Sequence, residues 1–347
     1  MELEKITQFL ERKTVLVTGA TGFLAKVFLE KLLRVQPNVK KLYLLLRAAD
    51  TSSVNQRFYN EVMGKDLFRV VKEKLGANLN SFIAKKIAIV AGDVSYEDLG
   101  VKDSSLREEM INDLDFILNF AATTRFDERY DVALGTNTLG AKNVLCFAKN
   151  CLKLKLLIHV STAYVCGESS GLIMEKPYQL GEALNGVLGL NIVEEKKLID
   201  RKLNQLQREG ATEANIKKAM IDMGIERTID ALIVGYGSGK ISFFVGDVTA
   251  IIDVVLKLAN KISCDYFQGT YNNLNRKINR VMRLVELYQP YRFFHGIFDD
   301  SNTNKLLRTA KDNGMETNNF FFDVKSSDWD DYFINTHIPG IVKYVLK

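Results

Sequence analysis

The sequence predicts an α/β fold, with a doubly wound parallel sheet followed by a smaller, mainly helical C-terminal region. Short apolar runs rich in β-branched residues alternate with segments whose apolar residues fall at helical spacing, the pattern of right-handed βαβ crossovers. The first such run leads directly into a glycine-bearing turn that opens a helix. Beyond Leu256 the alternation gives way to sequence rich in aromatics. Together these describe a Rossmann-like domain over 1–255 and a C-terminal domain over 256–347.

The elements follow in order. Thr14 to Thr18 reads as a strand, and Phe23 to Val35 as a helix with Phe23, Val27, Leu29, Leu32 and Leu33 on its apolar stripe. Lys41 to Arg47, Ile87 to Ala91, Phe116 to Phe120 and Leu156 to Val160 are the next strands, with a helix over Asn137 to Asn150. The crossover from Ala48 to Lys86 is long, and Phe68, Val71 and Leu75 predict extra helix within it. His159 falls inside the fifth strand and is expected in the core. Val193 to Met223 has a charged helical pattern, with Glu194 and Lys197 at a supporting spacing and the run Glu194 to Lys202 forming a solvated face. The chain changes character at Arg227, and Ile241 to Val245 looks like a strand. Arg276 to His295 reads as an amphipathic helix with Ile278, Met282, Val285 and Leu287 buried, and Trp329 to Lys347 as a closing helix.

Composition narrows the function classes. The chain has 347 residues and a net charge of +5, which suits an anionic ligand such as a dinucleotide or CoA and is too dispersed for nucleic acid. No run approaches the roughly 20 apolar residues of a membrane-spanning helix, and the charged N-terminus lacks a signal core. Cys146, Cys151, Cys166 and Cys264 show no metal-ligand spacing and are expected as reduced thiols in a cytoplasmic setting. With three histidines in the chain, no metal site is expected.

The cofactor signal is Thr18-Gly19-Ala20-Thr21-Gly22-Phe23-Leu24-Ala25. Gly19 permits a tight turn, Gly22 lets the backbone approach a pyrophosphate, and Ala25 allows close helix–strand packing. Thr21, Phe23 and Leu24 complete the turn at the helix N-terminus, whose amides and dipole favour the anion. A dinucleotide site for NAD commonly has an acid at the end of the second strand, whereas Arg47 there favours the 2′-phosphate of NADPH. Asp50 lies beyond the turn and is a poorer ribose ligand. Ligands of open α/β sheets bind outside the carboxyl ends of the strands. Asp93 and Val94 are therefore candidates to face the adenine, and Asn119, Ala121 and Ala122 to border the nicotinamide ribose. Ser161 and Thr162 present hydroxyls where a substrate carbonyl would meet the nicotinamide.

Thr18-Gly19 to Leu24, Gly92-Asp93, Asn119-Phe120-Ala121-Ala122 and Val160 to Val165 together resemble the extended short-chain dehydrogenases. More narrowly, the chain is similar to the plant alcohol-forming fatty acyl-CoA reductases of the male-sterility type. That closer resemblance is carried by Leu42 to Arg47, Phe120 to Asn143, Arg227 to Gly246 and Phe320 to Lys347. It implies NADPH-dependent reduction of a long-chain fatty acyl-CoA to a primary alcohol in wax, suberin or related lipid metabolism. Two hydrides would be delivered in turn, through an aldehyde. Peripheral association with the endoplasmic reticulum and a homo-oligomer are compatible with it. In the family's scheme a Ser or Thr after strand five bonds the carbonyl oxygen, a role that matches Thr162, with Ser161 as runner-up. A Tyr gives the proton and a Lys four residues on holds the ribose.

Here the chain departs from that scheme. The Tyr-x-x-x-Lys helix should follow the charged segment, yet Glu226 runs directly into Arg227-Thr228-Ile229-Asp230, which the family places later. A second junction falls at about Leu256. Two internal blocks are read as missing. Tyr236 and Lys240 match Tyr-x-x-x-Lys as a string, but Gly237 and Gly239 between them cost about 1 kcal/mol each in a helix. The pair reads better as a turn. A non-catalytic cofactor-binding homologue is the alternative; another extended short-chain dehydrogenase is argued against by the aromatic C-terminal region with Trp329.

Overall fold

The computed structural model describes residues 6–48, 50–125, 127–163, 170–175, 191–233, 295–312 and 326–344. Five parallel strands form the main sheet: β1 (Thr14–Thr18), β2 (Lys41–Leu46), β3 (Ile87–Ala91), β4 (Phe116–Asn119) and β5 (Leu156–His159), in the order β3-β2-β1-β4-β5. The order reverses between β1 and β4, which places a topological switch point at the end of β1.

The alternation along β1 explains the two layers. Val15 and Val17 pack with Leu29, Leu32 and Leu33 of α2 (Phe23–Val35) on one face. Leu16 packs on the other with Val144 and Phe147 of α8 (Gly140–Asn150). All five β1 residues are buried, as a central strand covered on both faces requires. The long second crossover is helical as expected. It carries α3 (Thr51–Arg57), a π-helical turn (Phe58–Met63), α4 (Arg69–Leu75) and α5 (Leu79–Lys86), with Phe58, Phe68 and Val71 in the core. Between β3 and β4 lies α6 (Ser104–Asp113), and α1 (Ile6–Leu10) precedes the sheet.

One expectation is corrected and two are refined. His159 is exposed, because β5 is the last strand of the sheet and Leu156 and Ile158 are also 43% exposed. The charged segment forms two helices, α9 (Ile192–Arg208) and α10 (Glu213–Ile233). Gly210 at φ +65° ends the first, and the Thr212 hydroxyl accepts from the Asn215 amide to start the second. Finally, no break occurs at Arg227: Glu226 to Ile233 contains neither Gly nor Pro, and α10 runs through it. The Glu194–Lys197 pair is present at 2.8 Å.

A second sheet joins β6 (Gly171–Ile173) and β7 (Gly296–Phe298) in parallel. α11 (Ser301–Asp312) follows β7, and the chain closes with α12 (Trp329–Tyr332), a π-helical turn (Phe333–His337) and α13 (Ile338–Tyr344). The expected strand at Ile241 to Val245, the helix at Arg276 to His295 save for His295 itself, which precedes β7, and the domain boundary at residue 255 lie outside the described residues, as do Cys166 and Cys264. Cys146 and Cys151 are free thiols. No helix among the described residues is long and apolar enough to cross a membrane.

Candidate cofactor and active site

The turn that leads from β1 into α2 sits against the carboxyl end of β4. Gly19 adopts φ +64°, and a Cβ there would lie 2.7 Å from the Ala121 nitrogen and 2.8 Å from its Cα. Only glycine lets the first turn sit against the end of β4. The Gly22 amide donates to the Gly19 carbonyl at 2.8 Å. Gly22 caps α2 without a side-chain bond to the first amides, so these are not occupied by a capping group. Ala25 is fully buried against the sheet, Thr21 is half-buried, and Phe23 and Leu24 are exposed on the first turn. This is a backbone cradle for an anion at a helix N-terminus, and the pyrophosphate of a nicotinamide dinucleotide fits it.

At the end of β2, Arg47 is exposed and its carbonyl accepts from the Arg57 guanidinium. Asp50 is used as the N-cap of α3, accepting from the Ser53 amide at 2.7 Å and hydroxyl at 2.9 Å. Its carboxyl is thereby held below the usual range, and Oδ1 is committed to the cap. Arg57 pairs with Glu61 at 2.7 Å. Burial, and then the field of Lys65, hold the Lys26 ammonium below the usual lysine range. Cations thus gather between the end of β2 and the start of α2.

The loop after β3 is built around Gly92, where a Cβ would fall 2.5 Å from the Leu99 carbonyl oxygen. That carbonyl accepts from the Asp93 amide at 2.8 Å. Leu99 is fully buried yet sits at φ +59°, a strain of about 1–2 kcal/mol for an L-residue, retained where the loop is fixed. The Asp93 carboxylate accepts from the Ser95 amide. The Val94 side chain belongs to the core, and its carbonyl accepts from Asn143 Nδ2 at 2.9 Å. Val94 therefore braces the loop.

Asn119 is likewise a strut: it is 2% exposed, and its Oδ1 accepts from the Thr18 hydroxyl at 2.5 Å. The Ala121 amide donates to the same Thr18 oxygen at 3.2 Å, which leaves Ala122 exposed beyond it. Ser161 and Thr162 are exposed just past β5. Tyr236 and Lys240 lie outside the described residues. No group of three or more His, Cys, Asp or Glu among the described residues is placed to hold a metal.

Other residues around the site have no local sequence signature. Asn137 lies in the π-helical turn Leu134–Leu139, accepts from the Thr123 amide at 2.8 Å and donates to its carbonyl at 3.1 Å. It pins the segment that follows Ala122. Just before it, Tyr130 of α7 (Tyr130–Ala133) donates to Glu195 Oε2 at 2.8 Å. Glu195 was expected on a solvated face but is 4% exposed; Arg227 bonds both its oxygens, through Nε at 3.1 Å and through Nη2. Burial and the Glu195 carboxylate push the Tyr130 phenol up to about 12. The same contacts raise the Arg227 guanidinium, and the hydrogen bonds of the cluster lock α9 and α10 onto α7.

With this geometry in view, residues 17–241 match the NAD-binding domain described as male sterility protein, and residues 248–347 match a second domain of that description. The chain belongs to the fatty acyl-CoA reductase family. It is 39% identical to an alcohol-forming fatty acyl-CoA reductase of Simmondsia chinensis, covering 100% of both chains. It is 37% identical to a probable fatty acyl-CoA reductase of Arabidopsis thaliana, covering 98% of this chain and 99% of that one. The Simmondsia alignment runs over 491 residues, whereas this chain has 347, so it crosses more than a hundred positions at which this chain has no residue. Among solved structures, the reductase domain of a nonribosomal peptide synthetase from Mycobacterium tuberculosis is 32% identical. That match covers 46% of this chain and 35% of that one, with a TM-score of 0.37. The terminal reductase domain of the myxalamid pathway is 23% identical over 58% of this chain and 47% of its own, with a TM-score of 0.41.

Proposed function

We propose that this fatty acyl-CoA reductase family member binds NADPH across the ends of β1, β2 and β4, in the service of reducing long-chain fatty acyl-CoA to primary alcohol. The observation that carries the reading is the Gly19 cradle against Ala121, with Lys26 of α2 in the fields of Lys65 and Glu61 and Arg47 at the end of the neighbouring strand β2. The uncapped first turn of α2 would hold the pyrophosphate, Asp93 and its braced loop would border the adenine, and Arg47 would pair with the 2′-phosphate. When bound, NADPH supplies the hydride. Thr162, with Ser161 beside it, would donate a hydrogen bond to the substrate carbonyl oxygen and so orient the carbon.

A second reading concerns the proton. The alignment positions without residues here favour a chain that lacks the Tyr-x-x-x-Lys helix. Such a chain would keep the cofactor site and be impaired in turnover. The test of the first reading is fluorescence titration with NADPH and NADH. NADPH should bind more tightly, and Arg47→Glu should abolish the preference. Equal affinity of the unmodified protein for both cofactors would overturn the assignment of Arg47.

A further inference from the structure

Thr18, Asn119 and His159 occupy one row of the sheet. Thr18 and Asn119 are register partners across β1 and β4, and Asn119 and His159 are partners across β4 and β5. In-register parallel partners project to the same face. The three side chains meet there: Thr18 Oγ1 lies 2.5 Å from Asn119 Oδ1, and Asn119 Nδ2 lies 2.9 Å from His159 Nδ1.

The directions of these bonds are not free. The Ala121 amide donates to Thr18 Oγ1. Two facing oxygens bond only if one carries hydrogen, so the Thr18 hydroxyl donates to Asn119 Oδ1. The Asn119 amide then presents its NH2 to His159, which must accept through an unprotonated Nδ1. This arrangement leaves Nε2 as the ring nitrogen for the proton, and His159 is the exposed end of the row. With the Asn119 amide reversed, the fully buried Thr18 hydroxyl would keep its acceptor role and lose its only acceptor for its own hydrogen.

We propose that His159 is a positioning residue for cofactor binding, its Nδ1 accepting from Asn119 so that Asn119 and Thr18 fix the spacing between the Gly19 turn and Ala121. It acts through the row and touches no ligand. The inference rests on the reading that these strand ends hold NADPH, but the tautomer can be read without the cofactor.

The experiment has two arms. In the first, protein labelled with 15N on histidine is examined by two-bond 1H–15N correlation at pH 8, with the His159 signals assigned by their loss in His159→Asn. An unprotonated Nδ1 and protonated Nε2 are expected; a proton on Nδ1 would overturn the proposal. In the second, NADPH affinity is measured for the unmodified protein, His159→Leu and His159→Asn. Leucine cannot accept from Asn119 and should weaken binding roughly fivefold to tenfold, the worth of one hydrogen bond. Asparagine places an acceptor oxygen where Nδ1 stood and should restore binding to within about twofold of the unmodified protein. Leucine binding as tightly as histidine, or asparagine binding no better than leucine, would also overturn the proposal. If the unmodified protein binds no NADPH, the functional reading fails and the tautomer alone decides the row.

Discussion

Replacing Arg227 with methionine keeps the length and apolar stem of the side chain and removes both bonds to Glu195. The Glu195 side chain is 5% exposed, so its carboxylate would remain buried with the Tyr130 hydroxyl as its remaining partner. Breaking a buried ion pair from one side costs about 3–5 kcal/mol. The Arg227 side chain is 35% exposed, so water can reach the vacated space and the cost should fall near about 3 kcal/mol. Removing both charges in the double variant Arg227→Met, Glu195→Leu leaves no unpaired buried charge, only the half-buried Tyr130 hydroxyl without its acceptor, and should cost about 1 kcal/mol relative to the unmodified protein. The pair should therefore show a coupling of about 2–3 kcal/mol in a double-mutant cycle. Because α9 and α10 are locked to α7 through this cluster, native-state hydrogen exchange of their amides is the appropriate assay. Single variants whose effects simply add would refute the idea that the three side chains act as one unit.

Three further outcomes follow from particular atoms. Gly19→Ala places a methyl 2.7 Å from the Ala121 nitrogen at a positive φ, so NADPH affinity should fall by about 10²-fold or more, read by fluorescence titration. Thr14 Oγ1 is buried with no hydrogen-bond partner, and Thr14→Val should therefore stabilise the protein by about 1 kcal/mol in urea unfolding. The Tyr130 phenol is raised to about 12 in the folded state, from about 10 when unfolded, so its stabilising contribution is complete below the unfolded value. It is lost as the pH climbs from about 10 towards about 12, and Tyr130→Phe should remove that part of the alkaline destabilisation.

The fold was legible where the information is local. β1, α2 and β3 have the bounds their residues imply, and Gly19, Gly22 and Ala25 declare their turn because backbone conformation and close packing demand small residues there. Residues whose roles depend on distant partners were read less well. Asn119 and Val94 are cofactor candidates in sequence, and the register of β4 against β1 and the packing on α8 add bracing contacts that no local pattern announces. Glu195 looks like one more charge on a solvated helix, because Tyr130 lies 65 residues before it and Arg227 lies 32 after it. His159 alternates like a core residue in its own strand. Only the strand order, with β5 at the edge, reveals its exposure.

On the function proposed above, the chain keeps a cofactor cradle beside a proton-delivery site that lacks its Tyr-x-x-x-Lys helix. Hydride addition to a carbonyl leaves charge on oxygen, and Thr162 can hydrogen-bond that oxygen but is a poor acid. General acid catalysis of this kind is worth about 10²–10⁴-fold. The deciding measurement is alcohol formed from a long-chain acyl-CoA and NADPH, by this chain and by one with the two internal blocks supplied from a full-length relative. The account predicts that both bind NADPH and that this chain makes alcohol at least about 10²-fold more slowly. Equal rates would contradict it, and loss of that activity in Tyr236→Phe would identify Tyr236 as the acid.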